Sequence, residues 1–137
     1  MIVVAILATL AAIAIPKFTL IVEKSREGAT KGNLGSIRAA ISLYYGSTGG
    51  VFPSTLQTGT NNYMSGYLSE MPSVEVTGIF MPNATPPAGC IVNYTTTGAV
   101  PTGSSSGWLY DSVNGRVFVN STIHDSQAIS FSYYGFE

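Results

Sequence analysis

The first fifteen residues, MIVVAILATLAAIAI, carry no charge and one polar side chain, Thr9. As a helix, at about 1.5 Å per residue, Met1 to Ile15 spans roughly 22 Å. That is short of the ~30 Å hydrocarbon core of a bilayer, which takes about 20 apolar residues to cross. The run is therefore a buried core helix, a signal peptide or part of a membrane helix. The signal-peptide reading lacks a basic segment ahead of the run and a clear A-x-A cleavage site, although Ala12 and Ala14 imitate one. The core-helix reading needs partners on every face of Ile2, Val3, Val4, Ile6, Leu7, Leu10, Ile13 and Ile15. The remaining residues suffice for one small domain and cannot supply those partners alone. Other copies of the chain, or lipid, have to.

The 137 residues fit a single domain. Charged residues are 9% against 45% hydrophobic, the reverse of a disordered composition. The net charge of -1 conceals two unlike parts. Residues 1–45 hold Lys17, Lys24, Arg26, Lys31 and Arg38 against Glu23 and Glu27, whereas residues 46–137 hold Arg116 against Glu70, Glu75, Asp111, Asp125 and Glu137. Basic residues directly after an apolar run suit the cytoplasmic face of a membrane or acidic neighbours. They are too few and scattered for a nucleic-acid stripe, and no specific nucleic acid is expected. The single cysteine, Cys90, excludes an internal disulfide and is read as a small apolar core residue.

Pro16 breaks the helical ladder by removing a donor. Helical signals resume at once, so a kink is expected there instead of an end. From Lys17 to about Tyr45, Leu34, Ile37, Ile41 and Tyr44 recur at the spacing of one buried helix face, with Arg38 and Ser42 facing away. Glu27 and Lys31 stand at i, i+4 and form an expected surface pair. Gly28, Gly32 and Gly35 are poor helix formers, and their spacing permits close approach of another helix.

These residues resemble a known family. Met1-Ile-Val-Val-Ala-Ile-Leu, then Leu10-Ala-Ala-Ile-Ala-Ile-Pro-Lys-Phe18, is similar to the N-terminal helix of type IV pilins and type II secretion pseudopilins. Lys31-Gly-Asn-Leu-Gly-Ser-Ile-Arg-Ala-Ala-Ile-Ser-Leu-Tyr-Tyr-Gly46 and Val51-Phe-Pro-Ser-Thr-Leu56 resemble the end of that family's long helix and the start of its αβ-loop. In the family a methylated Phe opens a Phe-Thr-Leu-Ile-Glu-Leu segment, including an acid that registers subunits, directly before the position of Met1. Met1 is accordingly expected to be an internal methionine of a longer natural chain. Lys17-Phe18-Thr19-Leu20-Ile21-Val22-Glu23 imitates that segment, but a hydrophilic stretch follows it.

The resemblance implies an α+β pilin fold. Residues 1–16 form an apolar membrane or filament-core segment, and 17–137 the globular domain. Within the latter, an amphipathic helix covers 17–46, an αβ-loop 47–88, and a β-sheet with C-terminal loops 89–137. Gly46, Gly49 and Gly50 stop the helix. The loop carries one helical turn at most. Cys90–Thr95 is a strand candidate. Trp108–Tyr110 and Arg116–Asn120 predict a hairpin with Asn114-Gly115 as a tight turn at positive φ. Val117 and Val119 alternate with Phe118, so one face should pack and the other stay wet. A final strand is expected through Ile129–Tyr133. The sheet should be antiparallel and cover Leu34, Ile37, Ile41 and Tyr44.

No catalytic constellation stands out, and a non-enzymatic chain is expected. His124 is the only histidine, and although it adjoins Asp125 no Gly-x-Ser-x-Gly elbow marks a serine. Asp111, Asn114 and Asp125 are weak calcium candidates, raised by the calcium sites of major pseudopilins but lacking EF-hand spacing. Their ordinary role is turn chemistry. Asn83, Asn93 and Asn120 begin N-glycosylation sequons by chance composition. The fifteen aromatic residues, among them Tyr133, Tyr134 and Phe136, serve core packing and subunit contact. With no phosphate loop in the chain, assembly would need an external ATPase and a platform protein. The resulting expectation is a type IV pilus subunit, held in the bacterial inner membrane before assembly and then part of an extracellular homo-oligomeric filament. The alternative is the major pseudopilin of a type II secretion system.

Overall fold

A computed structural model gives the structure of the chain and describes residues 1–56, 64–76, 92–95 and 107–134, with only the backbone of 93–95. Cys90, Asn83 and Phe136 lie outside the described residues, as do the side chain of Asn93, most of the segment 77–106 and the chain end.

One helix, α1, runs unbroken over Ile2–Ser47. At about 1.5 Å per residue its 46 residues extend roughly 69 Å. Pro16 sits inside it, not at a boundary. The missing amide frees only the carbonyl of Ala12, and the helix here is exposed on all sides, so no packed neighbour enforces a stop. Nearby hydroxyls turn inward: Thr9 Oγ1 donates to the Ile6 carbonyl at 2.8 Å and Thr19 Oγ1 to that of Pro16 at 2.9 Å. The helix ends where the glycines predicted. The Thr48 amide donates to the Tyr44 carbonyl and the Gly50 amide to that of Tyr45, with Gly49 and Gly50 at φ of 73° and 96°.

Three short strands follow: β1 at Val92–Thr95, β2 at Trp108–Asp111 and β3 at Arg116–Val119, in the spatial order β1-β2-β3. The fold class is α+β as expected. The sheet is not purely antiparallel: β2 and β3 form the antiparallel hairpin, while β1 lies parallel to β2, Val92 opposite Trp108. A parallel neighbour requires a crossover of about a dozen residues, and residues 96–107 supply that length.

The hairpin turn is also wider than expected. Asp111 pairs with Arg116, so Ser112 to Gly115 form a four-residue loop. Of these only Gly115 has positive φ, 67°. Asp111 shapes the loop instead of an Asn114-Gly115 pair, because its carboxylate accepts the Val113 amide at 3.0 Å and the Asn114 side-chain amide at 2.7 Å. Nor does Phe118 face water: it is as buried as Val117 and Val119, and on β3 only Arg116 is exposed.

The core lies between the C-terminal half of α1 and the sheet. Thr30, Leu34, Ile37, Ala40 and Ile41 are buried on the helix, and Tyr44 is half-buried against them. Trp108, Tyr110, Val117 and Val119 face them, with Leu56, Met64, Val74 and Val76 from the connecting segments. Two buried aromatics fix the loop with their polar ends. Trp108 Nε1 donates to the Pro72 carbonyl and the Tyr110 hydroxyl to that of Pro53, each at 2.7 Å. Within the loop one helical turn forms, where the Tyr67 and Leu68 amides both reach the Met64 carbonyl. The expected final strand is replaced by an isolated bridge, His124 with Ser130, and a short 3-10 helix at Phe131–Tyr133. Phe131 and Ser132 are consecutive and both buried, which a strand with alternating faces does not allow.

Candidate functional site

Apolar side chains gather on α1 without alternation, and the domain covers only its second half. From Met1 to Ile21 twelve large hydrophobic side chains stand exposed, among them Ile2 at 78%, Leu10 at 60% and Ile21 at 64%. Ile2, Val3, Val4, Ile6, Leu7, Leu10, Ile13 and Ile15 are all in this set. The helix is long and apolar enough to cross a membrane. Ile2 to Ile21 measures about 30 Å, with Phe18, Leu20 and Ile21 extending the apolar surface past Pro16 and Lys17. Fully burying a large aliphatic side chain gains about 1.5–3 kcal/mol. Covering this surface is thus worth on the order of 10–20 kcal/mol, as much as the whole stability of a small domain. Contiguous apolar surface on that scale marks a contact with protein or membrane.

The outward face of the second half is small instead of apolar. Gly28, Gly32 and Gly35 are exposed, and a Cβ built on any of them meets nothing within 4 Å. The domain itself makes no use of the close approach these glycines permit.

Beside its buried apolar face, the helix is tied to the domain by polar contacts from its flanks. The Glu27–Lys31 pair does not form; both side chains reach across to the C-terminal turn. Glu27 accepts the Ser126 amide at 2.8 Å and the Ser126 hydroxyl at 2.9 Å, and the Lys31 ammonium lies 4.4 Å from the centre of the Tyr134 ring. Thr30 accepts the Glu75 amide, and Asn33 Nδ2 donates to the Ser73 carbonyl at 2.8 Å. Ser73 and Glu75 are themselves hydrogen-bonded through their side chains. Neither Thr30 nor Ser126 was singled out from the sequence, because a Thr among charged residues and a Ser among turn residues carry no periodic signal.

Asp125 organises the C-terminal turn. Its Oδ1 accepts the Gln127 and Ile129 amides at 2.8 Å each, and its Oδ2 the Tyr134 hydroxyl at 2.6 Å. Burial pushes its carboxyl up, but the Tyr134 hydroxyl, the two amides and nearby Lys31 outweigh burial and hold it below the ordinary carboxylate range. The calcium candidates therefore occupy two separate turns, Asp111 with Asn114 and Asp125 with Tyr134, each carboxylate oxygen already accepting a bond. Among the described residues no three acids, histidines or cysteines cluster as a metal site. His124 is exposed and, with Glu23, Glu27 and Asp125, lines a shallow cavity of about 200 Å³ between α1 and the turn.

Compared with protein-family models, curated proteins and solved structures, the chain matches none.

Proposed function

We propose that the chain is the structural subunit of a type IV pilus-like filament, polymerising through the exposed half of α1. The carrying observation is the division of one continuous helix: the half after Val22 packs into a domain, while the half before it exposes apolar side chains on every face. Lipid satisfies such a segment before assembly, and the same segments of neighbouring copies satisfy it afterwards. Lys17 is compatible with either setting, since its long stem lets the ammonium reach the water interface. Threonines that bond to their own helix add no unpaired hydroxyl to a dry core. The outward glycine face lets neighbouring helices approach closely along the packed half. A head-to-tail repeat of one contact gives an open helical fibre instead of a closed ring.

Under this reading the inner membrane is the reservoir, an ATPase and a platform protein drive extraction, and the loops form the outer surface. The decisive experiment is electron microscopy of fibres sheared from native cells, with mass spectrometry of their subunit. Long thin fibres built from this chain are expected. Its retention in the inner membrane beside secretion components, without fibres, would favour the pseudopilin of a type II secretion system.

A further inference from the structure

Arg38 of α1 and Arg116, the first residue of β3, line one shallow cavity of about 260 Å³ together with Ile41, Ser42 and Phe52. Among the described residues neither guanidinium has an ion-pair partner. Two guanidiniums that border one concavity offer planar forks that match a carboxylate, and Ile41 and Phe52 beside them suit an anion on a short apolar stem.

The chain's own acids narrow the occupant. Glu27, Glu75, Asp111 and Asp125 already accept hydrogen bonds inside the domain. Among the described residues only Glu23 and Glu70 do not, and both are exposed. Their positions differ. Glu70 lies between Tyr67, whose hydroxyl meets Ser47 at 2.5 Å, and Ser73, whose carbonyl is held by Asn33. At about 100° per residue, Asn33 and Ser47 lie roughly 140–180° around the helix from Arg38 and Ser42. The basic cavity and the free Glu70 thus occupy opposite flanks of α1. Glu23, only about 60° from Arg38, shares the cavity's side.

We propose that the Arg38–Arg116 cavity receives Glu70 of a second copy of this chain. This deepens the filament reading, on which it rests, by naming a lateral contact. With donor and acceptor on opposite flanks, each copy that fills its neighbour's cavity leaves its own cavity open for the next, so the contact propagates without closing.

The test uses the full-length chain with E70R, R116E, both changes in one chain, and an equal mixture of the two single variants. Association is read by sedimentation in detergent micelles, which keep the apolar helix covered, and fibre yield is read from sheared cells. Each single reversal should weaken association by about tenfold through like-charge contact. The double variant and the mixture should both recover it, the mixture because each variant supplies what the other lacks. Wild-type association unaffected by E70R or R116E, loss not rescued by pairing, no wild-type association in micelles, or an effect of E23R in place of E70R would each overturn the assignment. Wild-type association with this charge pattern but no fibres would sink the filament alone. Fibres at wild-type yield from every charge variant would remove this contact and leave the filament standing.

Discussion

Glu27 and Ser126 stand 99 positions apart and are joined by two hydrogen bonds, one to the backbone amide and one to the hydroxyl of Ser126. One carboxylate on the helix thereby closes the C-terminal turn, and the last described residues become a clamp on α1 together with the Lys31–Tyr134 contact. The clamp lies immediately after the helix leaves its exposed half, where the domain has to hold a lever about 30 Å long.

Removing the clamp should loosen the turn more than the sheet. Glu27→Ala is expected to cost about 1 kcal/mol, the scale of charge-assisted bonds at a partly solvated site. Faster hydrogen exchange at 123–130 with β2 and β3 unchanged is the signature. Uniform loss of protection would show that the turn is integral to the core.

Acid should open the same turn. The carboxyl of Asp125 is held below its ordinary value, so the folded state binds fewer protons than the unfolded chain. Its stabilisation is complete above the unfolded pKa, about 3.9, and is lost as pH falls through the lower folded value. Denaturant melts between pH 6 and pH 2 should show this loss, and Asp125→Asn should flatten the profile. Equal pH dependence in both proteins would refute the assignment.

Ala128 carries the only positive φ, 63°, among the described non-glycine residues. A Cβ in that conformation costs roughly 1 kcal/mol, and after the greater freedom of the unfolded glycine chain is set against it, Ala128→Gly should raise stability by at most about 0.5 kcal/mol. Gly115 is the converse case. Its φ is 67° and an added Cβ would sit 2.3 Å from the Phe52 ring. Gly115→Ala should cost more than about 2 kcal/mol, measured by the denaturation midpoint.

Gly32→Ala separates the fold of one copy from contact between copies. Nothing lies within 4 Å of the added methyl, so the helix should gain about 1 kcal/mol. Gly32→Leu should likewise fold but reduce fibre yield several-fold by holding helices apart. Full fibre yield with Leu at this position would remove the glycine face from the assembly.

Deleting Met1 to Ile15 should release a soluble domain with intact near-ultraviolet spectra that forms no fibres. Fibres formed by the shortened chain would contradict the proposed role of the apolar helix.

The long helix was legible because its signals are local. An uncharged run, the recurrence of Leu34, Ile37 and Ile41, and the glycines after Tyr45 each act within a few residues, and the structure places the helix, its buried face and its end accordingly. The hairpin was legible for the same reason, through Trp108–Tyr110 and the residues after Gly115. Local signals misled where a distant partner competed. Lys31 follows Glu27 by one turn, yet each finds a partner in the C-terminal segment, since an exposed i, i+4 pair is worth only ~0.3–0.5 kcal/mol. Ile129–Tyr133 alternates like a strand, yet packing against the core draws both Phe131 and Ser132 inward. The parallel placement of β1 and the two flanks of α1, one beside the Arg38–Arg116 cavity and the other beside Glu70, have no local pattern. Sequence by itself determined which segments are helix, hairpin and exposed apolar surface, because propensity and periodicity act along the chain. Only the tertiary structure decided which polar groups meet, because those contacts depend on how separated segments close around one core.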